Sequence, residues 1–247
     1  AARTADPLLS VVQTGRTPQL ALGAPRRMLT GMKSLKELEG KKIGIMETGS
    51  LAQLCVDYAV LLAGGNPKNI NYVVLGNPLT AITMLRGGGI EFICASDPLI
   101  TMLEKKGEIE SLRNFRSLKE TQRAFRGLLP GNALLVPALL ATKNPELCQS
   151  LVNAVLRAVK WLRTAGPSDL LGNMLESTYL TDRAIYLNAV DNMRESYAID
   201  GMLSNEAFAL ALRVCNTLDP ASAAERKKTG SFFTNEFVLQ AKKRFKV

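Results

Sequence analysis

Histidine is absent from the 247 residues of the chain. Ser-His-Asp and Cys-His nucleophilic machinery is therefore excluded, and the commonest general base of enzymes is missing. Lysine or carboxylate chemistry stays open, but none of the usual enzyme signatures is present. We therefore expect a protein that is not an enzyme and that carries no cofactor.

Cysteine is sparse and scattered. The four cysteines are Cys55, Cys94, Cys148 and Cys215, and they form no CxxC pair. Since histidine is absent too, a zinc site of the Cys/His type is not expected. Each cysteine lies in an apolar stretch, which predicts a buried free thiol. A disulfide between Cys148 and Cys215 is the alternative in an oxidising compartment.

Long hydrophobic runs are missing as well. The longest, Leu54–Ala63, contains Asp57 and is much shorter than the roughly 20 residues that cross a bilayer. The chain has no initiator methionine and no basic-then-apolar signal segment. We expect it to begin after a cleavage or partway into a longer gene product.

Acidic residues are fewer than basic ones: the chain has 22 Asp and Glu and 31 Lys and Arg, which gives a net charge of +9. A basic balance favours anionic partners. The basic residues are dispersed apart from Arg226–Lys228 and Lys242–Arg244, and they form no stripe with interleaved aromatic residues. This pattern predicts a small-molecule anion as the ligand and no binding of nucleic acid.

The sequence does contain a clear alternation of strands and helices over about residues 35–130. Short apolar strands are predicted at Ile43–Met46, Ile70–Leu75 and Ile90–Ala95. Helices are predicted after them at Leu51–Ala63, at Pro78–Arg86 and from Pro98 onwards. Such an alternation is typical of a parallel sheet with right-handed crossovers. We therefore predict one α/β lobe here.

The remainder of the chain, 1–34 and 131–247, is predicted to be mainly helical. Its extended runs are Leu8–Val12, a short one at Leu20–Leu22, and Asn132–Ala141. Asn144-Pro145-Glu146 begins a helix whose apolar stripe continues to Leu162. Because few strands serve several such helices, we expect part of their apolar surface to be exposed.

Polar turns follow all three predicted strands. Since parallel strands end at one edge of a sheet, these turns are expected to lie together. Thr48-Gly49-Ser50 combines helix N–H groups with a hydroxyl, as anion sites do, but a simple helix cap is the favoured interpretation of Ser50. Asn77 and Asp97 have the same two interpretations, with the cap again favoured. Arg16 is either a bidentate partner for a ligand carboxylate or sulfonate, or a surface arginine.

The order of several segments resembles the nitrate/sulfonate/taurine and thiamine-pyrimidine type of ABC-importer solute-binding protein. The matching segments are Ser34–Gly44, Gly49-Ser50, Ala81–Gly87, Ile90–Phe92, Asp97-Pro98, Asn144–Leu147, Asn153-Ala154, Ala158–Trp161, Asp200–Ser204 and Phe233–Ala241. The resemblance implies an α/β protein of the type II periplasmic-binding fold, with a ligand held between two lobes joined by hinge strands. It also implies a periplasmic or lipid-anchored protein that works with the membrane subunits of an ABC importer.

Carried over by residue, the resemblance assigns ligand contacts to Thr48, Gly49, Ser50 and Asn77 in a second lobe at 35–130. It places Arg16, Thr17 and Asn132 near the hinge crossings of a first lobe formed by 1–34 and 131–247. Family members have a further β-α-β-α-β stretch before the point that matches Leu8, so we expect an incomplete first lobe here.

The expected function is capture of a small anion, such as a sulfonate or a carboxylate, by closure of the hinge. The alternative is an enzyme on the same fold, such as a thiamine-pyrimidine synthase or a menaquinone-pathway relative. The pyrimidine synthases use an active-site histidine, which this chain does not have.

Overall fold

The structure is a computed structural model that describes residues 7–173, 183–228 and 232–245. It contains two compact units. Unit 1 comprises residues 1–17, 128–166 and 196–247, and unit 2 comprises residues 18–127 and 167–195. The chain therefore passes from one unit to the other four times, where the resemblance implied two hinge crossings.

The described strands are β1 (Leu8–Gln13), β2 (Leu20–Ala24), β3 (Lys42–Ile45), β4 (Asn71–Val74), β5 (Phe92–Ser96), β6 (Glu110–Asn114) and β7 (Ala133–Pro137). The described α-helices are α1 (Arg26–Leu29), α2 (Leu51–Leu62), α3 (Pro78–Arg86), α4 (Leu99–Lys105), α5 (Leu118–Phe125), α6 (Ala138–Lys143), α7 (Pro145–Thr164), α8 (Pro167–Gly172), α9 (Arg183–Met193), α10 (Asn205–Leu218), α11 (Ala223–Lys228) and α12 (Glu236–Phe245). Short 3-10 helices lie at Leu35–Leu38, Pro67–Asn69 and Arg194–Ser196.

Unit 2 is built on a five-stranded sheet in the order β4-β3-β5-β2-β6. The three strands predicted from the sequence are confirmed as a parallel set, since β3 pairs in parallel with both β4 and β5. The other two were not predicted to be in this sheet: β2 pairs antiparallel with β5 on one side and with β6 on the other. The sheet is therefore mixed, and β5 lies at its centre.

Unit 2 differs from the predicted lobe at 35–130 in two segments. The run at Leu20–Leu22, assigned above to the first lobe, forms β2 and is fully inserted in the sheet of unit 2. Helices α8 and α9 also belong to unit 2, and α9 packs against α4. Neither placement is visible in the local pattern, because both depend on contacts between segments far apart in the sequence.

Unit 1 contains a two-stranded antiparallel sheet of β1 and β7. Its core joins these strands to α7 and α12 through the buried side chains of Val11, Cys148, Val152, Leu156 and Val238. Unit 1 also carries six of the eight most exposed large hydrophobic side chains among the described residues: Leu135, Leu139, Leu147, Leu151, Trp161 and Leu239. Two strands thus leave part of the apolar surface of this unit uncovered.

Candidate functional site

The turn between β3 and α2 is the first of the polar turns. Thr48 and Gly49 are exposed, and Gly49 has a φ of +70°, which favours glycine because it has no Cβ. Ser50 is the N-cap of α2, and its hydroxyl accepts a long hydrogen bond of 3.4 Å from the amide of Gln53. The side chain of Gln53 in turn accepts a bond of 2.9 Å from the amide of Gly49. The favoured interpretation of Ser50 as a cap is thus visible in the structure.

The turn between β4 and α3 lies beside the first. The amide of Leu75 donates to the carbonyl of Ile45 at 2.9 Å, and that of Gly76 donates to the carbonyl of Met46 at 3.3 Å. Asn77 is exposed and caps α3, because its side-chain oxygen accepts a bond of 2.9 Å from the amide of Thr80. Two helix N-termini are therefore brought together at the carboxyl edge of adjacent parallel strands.

Asp97, the residue after β5, does not face solvent. Its side chain is only 1% exposed, and Oδ1 accepts a bond of 2.9 Å from the amide of Thr101. Its carboxylate also pairs with the guanidinium of Arg116, 3.1 Å away and likewise buried. Asp97 thus bonds an amide in the first turn of α4, as predicted for a cap, although the N-cap position itself is Pro98 and the helix begins at Leu99. Its burial and pairing do not favour its assignment to ligand contacts. A carboxylate that is buried and neutralised in this way is a structural group.

Arg116, the buried partner of Asp97, is a structural side chain of this region that was not predicted from the sequence. It follows β6 and bonds with Asp97, with both oxygens of Glu104 at 3.0 and 3.1 Å, and with Asn114 through Nε at 2.8 Å. Thr101, which receives a bond from Asn192 of α9, also lies within 3.3 Å of Arg116. Nothing in the local sequence distinguishes this arginine from the dispersed surface ones.

The remaining predicted residues, Arg16, Thr17 and Asn132, belong to unit 1. Their backbones are tied together locally, since the amide of Gly15 donates to the carbonyl of Asn132 at 2.9 Å and that of Arg16 donates to Ser196 at 2.8 Å. Asn132 is exposed and Arg16 is half-buried, whereas Thr17 is completely buried. They remain predicted ligand residues.

The turns after β3 and β4 have the chemistry of an anion site. The first amides of an α-helix have no acceptor within the helix, and the partial positive charge of the N-terminus favours an anion. Here the amides of Leu51 and Ala52 at the start of α2 are of this kind, and the hydroxyls of Thr48 and Ser50 add two donors. Glu47, exposed beside Thr48, opposes an anion, but water screens its charge.

One carboxylate of unit 2, Asp57, has a raised pKa. It lies on α2, accepts a bond of 2.6 Å from the hydroxyl of Tyr72, and is half-buried. Burial raises the pKa of Asp57 above its ordinary value, and the hydrogen bonds from Tyr72 and Gln53 oppose this shift only in part. Burial next to Asp57 also raises the pKa of Tyr72.

This shift predicts how stability depends on pH. Because the folded pKa of Asp57 is raised, its contribution is most favourable below the ordinary carboxyl pKa of about 3.9 and is lost as the pH rises through the folded value. Asp57→Asn, which retains an oxygen for Tyr72, is therefore expected to raise the melting temperature at pH 7 and to have little effect near pH 3. Thermal unfolding of both proteins at the two pH values tests this. The exposed Asp191→Asn is the control, and a lower melting temperature for Asp57→Asn at pH 7 would contradict the argument.

The four cysteines carry free thiols. Cys55, Cys94 and Cys148 are buried as predicted, and Cys215 is half-buried. Burial raises the pKa of all four thiols, which keeps them protonated. Among the described residues, no three acidic or cysteine side chains form a group that would hold a metal ion, and no helix is both long and apolar enough to cross a membrane.

The chain has the type II periplasmic-binding fold. The chain belongs to the NMT1/THI5-like family, whose model matches residues 3–167. No curated protein matched the chain. This membership and the structural relatives described next confirm the resemblance stated from the sequence.

Solved structures show the same fold. A protein from Bordetella bronchiseptica RB50 is similar at 29% identity and a TM-score of 0.86, with 98% of this chain and 76% of that one covered. The periplasmic aliphatic sulphonate-binding protein SsuA from Escherichia coli is similar at 20% identity and a TM-score of 0.69, with coverages of 91% and 70%. The periplasmic nitrate-binding protein NrtA from Synechocystis PCC 6803 is similar at 12% and 0.69, with coverages of 98% and 69%. The desulfurization enzyme DszB shares the fold at 14% identity and a TM-score of 0.54.

Proposed function

We propose that the protein is the extracytoplasmic solute-binding component of an ABC importer and captures a small anion such as a sulfonate or a carboxylate. Membership of the family and the likeness to periplasmic sulfonate- and nitrate-binding proteins support this function. The net charge of +9 is compatible with an anionic solute. Its partners are then the membrane subunits of the importer.

One observation carries the proposal: two helix N-termini meet at the carboxyl edge of β3 and β4. The exposed side chains there are Thr48 and Asn77, with Gly49 and Ser50 between strand and helix. These four are the proposed ligand contacts of unit 2, and Arg16, Thr17 and Asn132 are proposed for unit 1. Asp97 is not included, because its carboxylate is buried and paired.

A screen for stabilising ligands tests the proposal. Sulfonates, nitrate, carboxylates and pyrimidines are added separately, and the shift of thermal unfolding is measured. A ligand at one hundred times its dissociation constant adds about 2.7 kcal/mol to the stability of the protein that binds it. The expected hits are anions, and a response to neutral pyrimidines alone would contradict the assignment.

Replacement of Ser50 by alanine separates its binding role from its capping role. In the proposed site, Ser50→Ala weakens ligand affinity by roughly 1.5–3 kcal/mol, the value of a hydrogen bond to a charged group. Ser204→Ala is the matched control, because Ser204 caps α10 with a bond of 3.1 Å to the amide of Ala207. Both variants lose about 1 kcal/mol of stability as caps, and only the first loses affinity in calorimetric titrations. Equal affinity in the two variants would leave Ser50 as a cap alone.

An enzyme is the second candidate, because the fold also occurs in the enzyme DszB. The absence of histidine removes the commonest general base, and the thiols are held protonated by burial. Incubation with each ligand found in the screen, followed by mass spectrometry, is expected to return the ligand unchanged. Formation of more product than there is protein would show multiple turnovers, and the protein would then be an enzyme and not a binding protein.

A further inference from the structure

Unit 2 contains a basic region at the end of α2 remote from Ser50. A cavity of about 270 Å³ lies there. It is lined by Leu35, Leu62, Ala63, Arg113, Glu120, Arg123, Ala124 and Arg126. Helix α2 has 12 residues and rises 1.5 Å per residue, so this cavity lies about 18 Å along the helix from Ser50. It is therefore separate from the turns after β3 and β4.

Three guanidinium groups and a single carboxylate line this cavity. Arg113 comes from β6, Arg123 from the last turn of α5, and Arg126 from the residue that ends α5. The ion pairs found among the described residues include Arg86, Arg116, Arg194 and Arg226 but none of these three. Arg113 donates to the carbonyl of Leu112 at 2.7 Å, which leaves most of its donors available.

The three arginines could instead serve to neutralise the negative ends of nearby helices. Both α2 and α5 end at the cavity, and arginines often bond the last carbonyls of a helix. In the part of the chain that the structure describes, Arg123 and Arg126 make no such side-chain bond. Three full positive charges also exceed the one carboxylate and two partial charges that they face.

Arg126 has an unusual backbone. Its φ of +57° and ψ of +35° lie in the left-handed region, which disfavours residues other than glycine. Gly127 follows directly, yet the arginine occupies the position where glycine commonly ends a helix. The cost of this conformation is compensated if the guanidinium at this position binds a ligand.

We propose that this cavity binds a phosphate monoester or inorganic phosphate. Guanidinium groups bind phosphate oxygens in pairs, and a doubly charged phosphate matches several arginines better than a single carboxylate does. The volume is just below the usual range for ligand pockets, so the occupant is small. The apolar side chains of Leu35 and Leu62 are available to the organic part of an ester.

Calorimetric titration with inorganic phosphate and with glycerol 3-phosphate tests the inference. The informative variant is Arg126→Gly, since it removes a guanidinium while glycine suits the positive φ and so preserves folding. It is expected to weaken phosphate binding about 10- to 100-fold, and Arg123→Ala should do the same. Lys119→Ala, which removes an exposed positive charge of α5 that does not line the cavity, is the control and should bind as the unaltered protein does.

Sedimentation with vesicles containing phosphatidic acid distinguishes a lipid headgroup from a soluble ester. Binding of either probe that depends on Arg126 supports the site. The probe that binds more tightly identifies the ligand as a soluble phosphate or as a lipid headgroup. The inference is overturned if neither source binds at concentrations up to about 10 mM, or if Arg126→Gly binds as the unaltered protein does. Binding lost in Ser50→Ala and kept in Arg126→Gly would assign the phosphate to the turns after β3 and β4, which also overturns it.

Discussion

Arg116→Ala is expected to lower the free energy of unfolding by about 3–5 kcal/mol, the cost of leaving a buried charge without its partner. The side chains of Arg116 and Asp97 are 3% and 1% exposed, so water cannot replace the lost guanidinium. The variant also removes the bond of 3.0 Å to Glu104 and the bond of 2.8 Å to Asn114. Urea denaturation followed by circular dichroism measures the loss.

Two further variants make this test specific. Arg86→Ala is the matched control, because Arg86 forms a bidentate pair with Glu108 but is 60% exposed, and such a pair contributes about 1 kcal/mol or less. Replacing the pair as a whole, with Arg116→Met and Asp97→Asn together, should recover part of the loss, since the almost fully buried carboxylate of Asp97 is then no longer left as an unpaired charge. An Arg116→Ala that unfolds no earlier than Arg86→Ala would show that the buried network contributes little.

Phe115→Ala is expected to destabilise the protein by about 3–5 kcal/mol, as is usual when a buried aromatic side chain is truncated. Phe115 is completely buried between β6 and α5, with its ring centroid 4.9 Å from that of Phe125. The cavity left behind would be bordered by backbone that is held in place, because the carbonyl of Phe115 accepts bonds from Gln19 and Thr121. The midpoint of urea denaturation reports the change.

The exposed Leu79 supplies the control for this core variant. Leu79 lies on α3 and is 62% exposed, so Leu79→Ala should change stability by no more than about 0.5 kcal/mol. Since Phe115 and Arg116 are neighbours in one packed region, the losses of the two single variants should not add in a double variant. A cost for Phe115→Ala close to that of Leu79→Ala would mean that α5 is not anchored on the sheet through this ring.

Several helix starts could be predicted from short motifs because the stabilising bonds are local. Pro78–Arg86 was predicted with the bounds that the structure has, and Ser50, Asn77 and Ser204 cap their helices as such residues do. Asn144 is a partial exception, since α7 begins at Pro145 without a capping bond from the Asn144 side chain. The interpretation of a capping residue as a ligand contact, by contrast, cannot be decided from the same motif.

Strand β6 shows where prediction from local pattern failed. Its residues, Glu110–Asn114, include Glu and Arg, and no apolar run marks them. The strand lies at the edge of the sheet and pairs only with β2, and each of its side chains is exposed or only half-buried, so no apolar run is needed. Edge strands with charged side chains also resist pairing with other chains, which explains why the pattern looks like that of a loop.

The sequence by itself determined the β-α alternation of unit 2, the polar turns at the carboxyl edge of its parallel strands, and the lack of histidine chemistry. These follow from periodicity, capping and composition, all of which act within a few residues. Only the tertiary structure decided that Leu20–Ala24 is an antiparallel strand of that sheet, that Asp97 pairs with Arg116, and that three arginines share one cavity. Those contacts join residues far apart in the chain, and side-chain burial there depends on packing that no local pattern encodes.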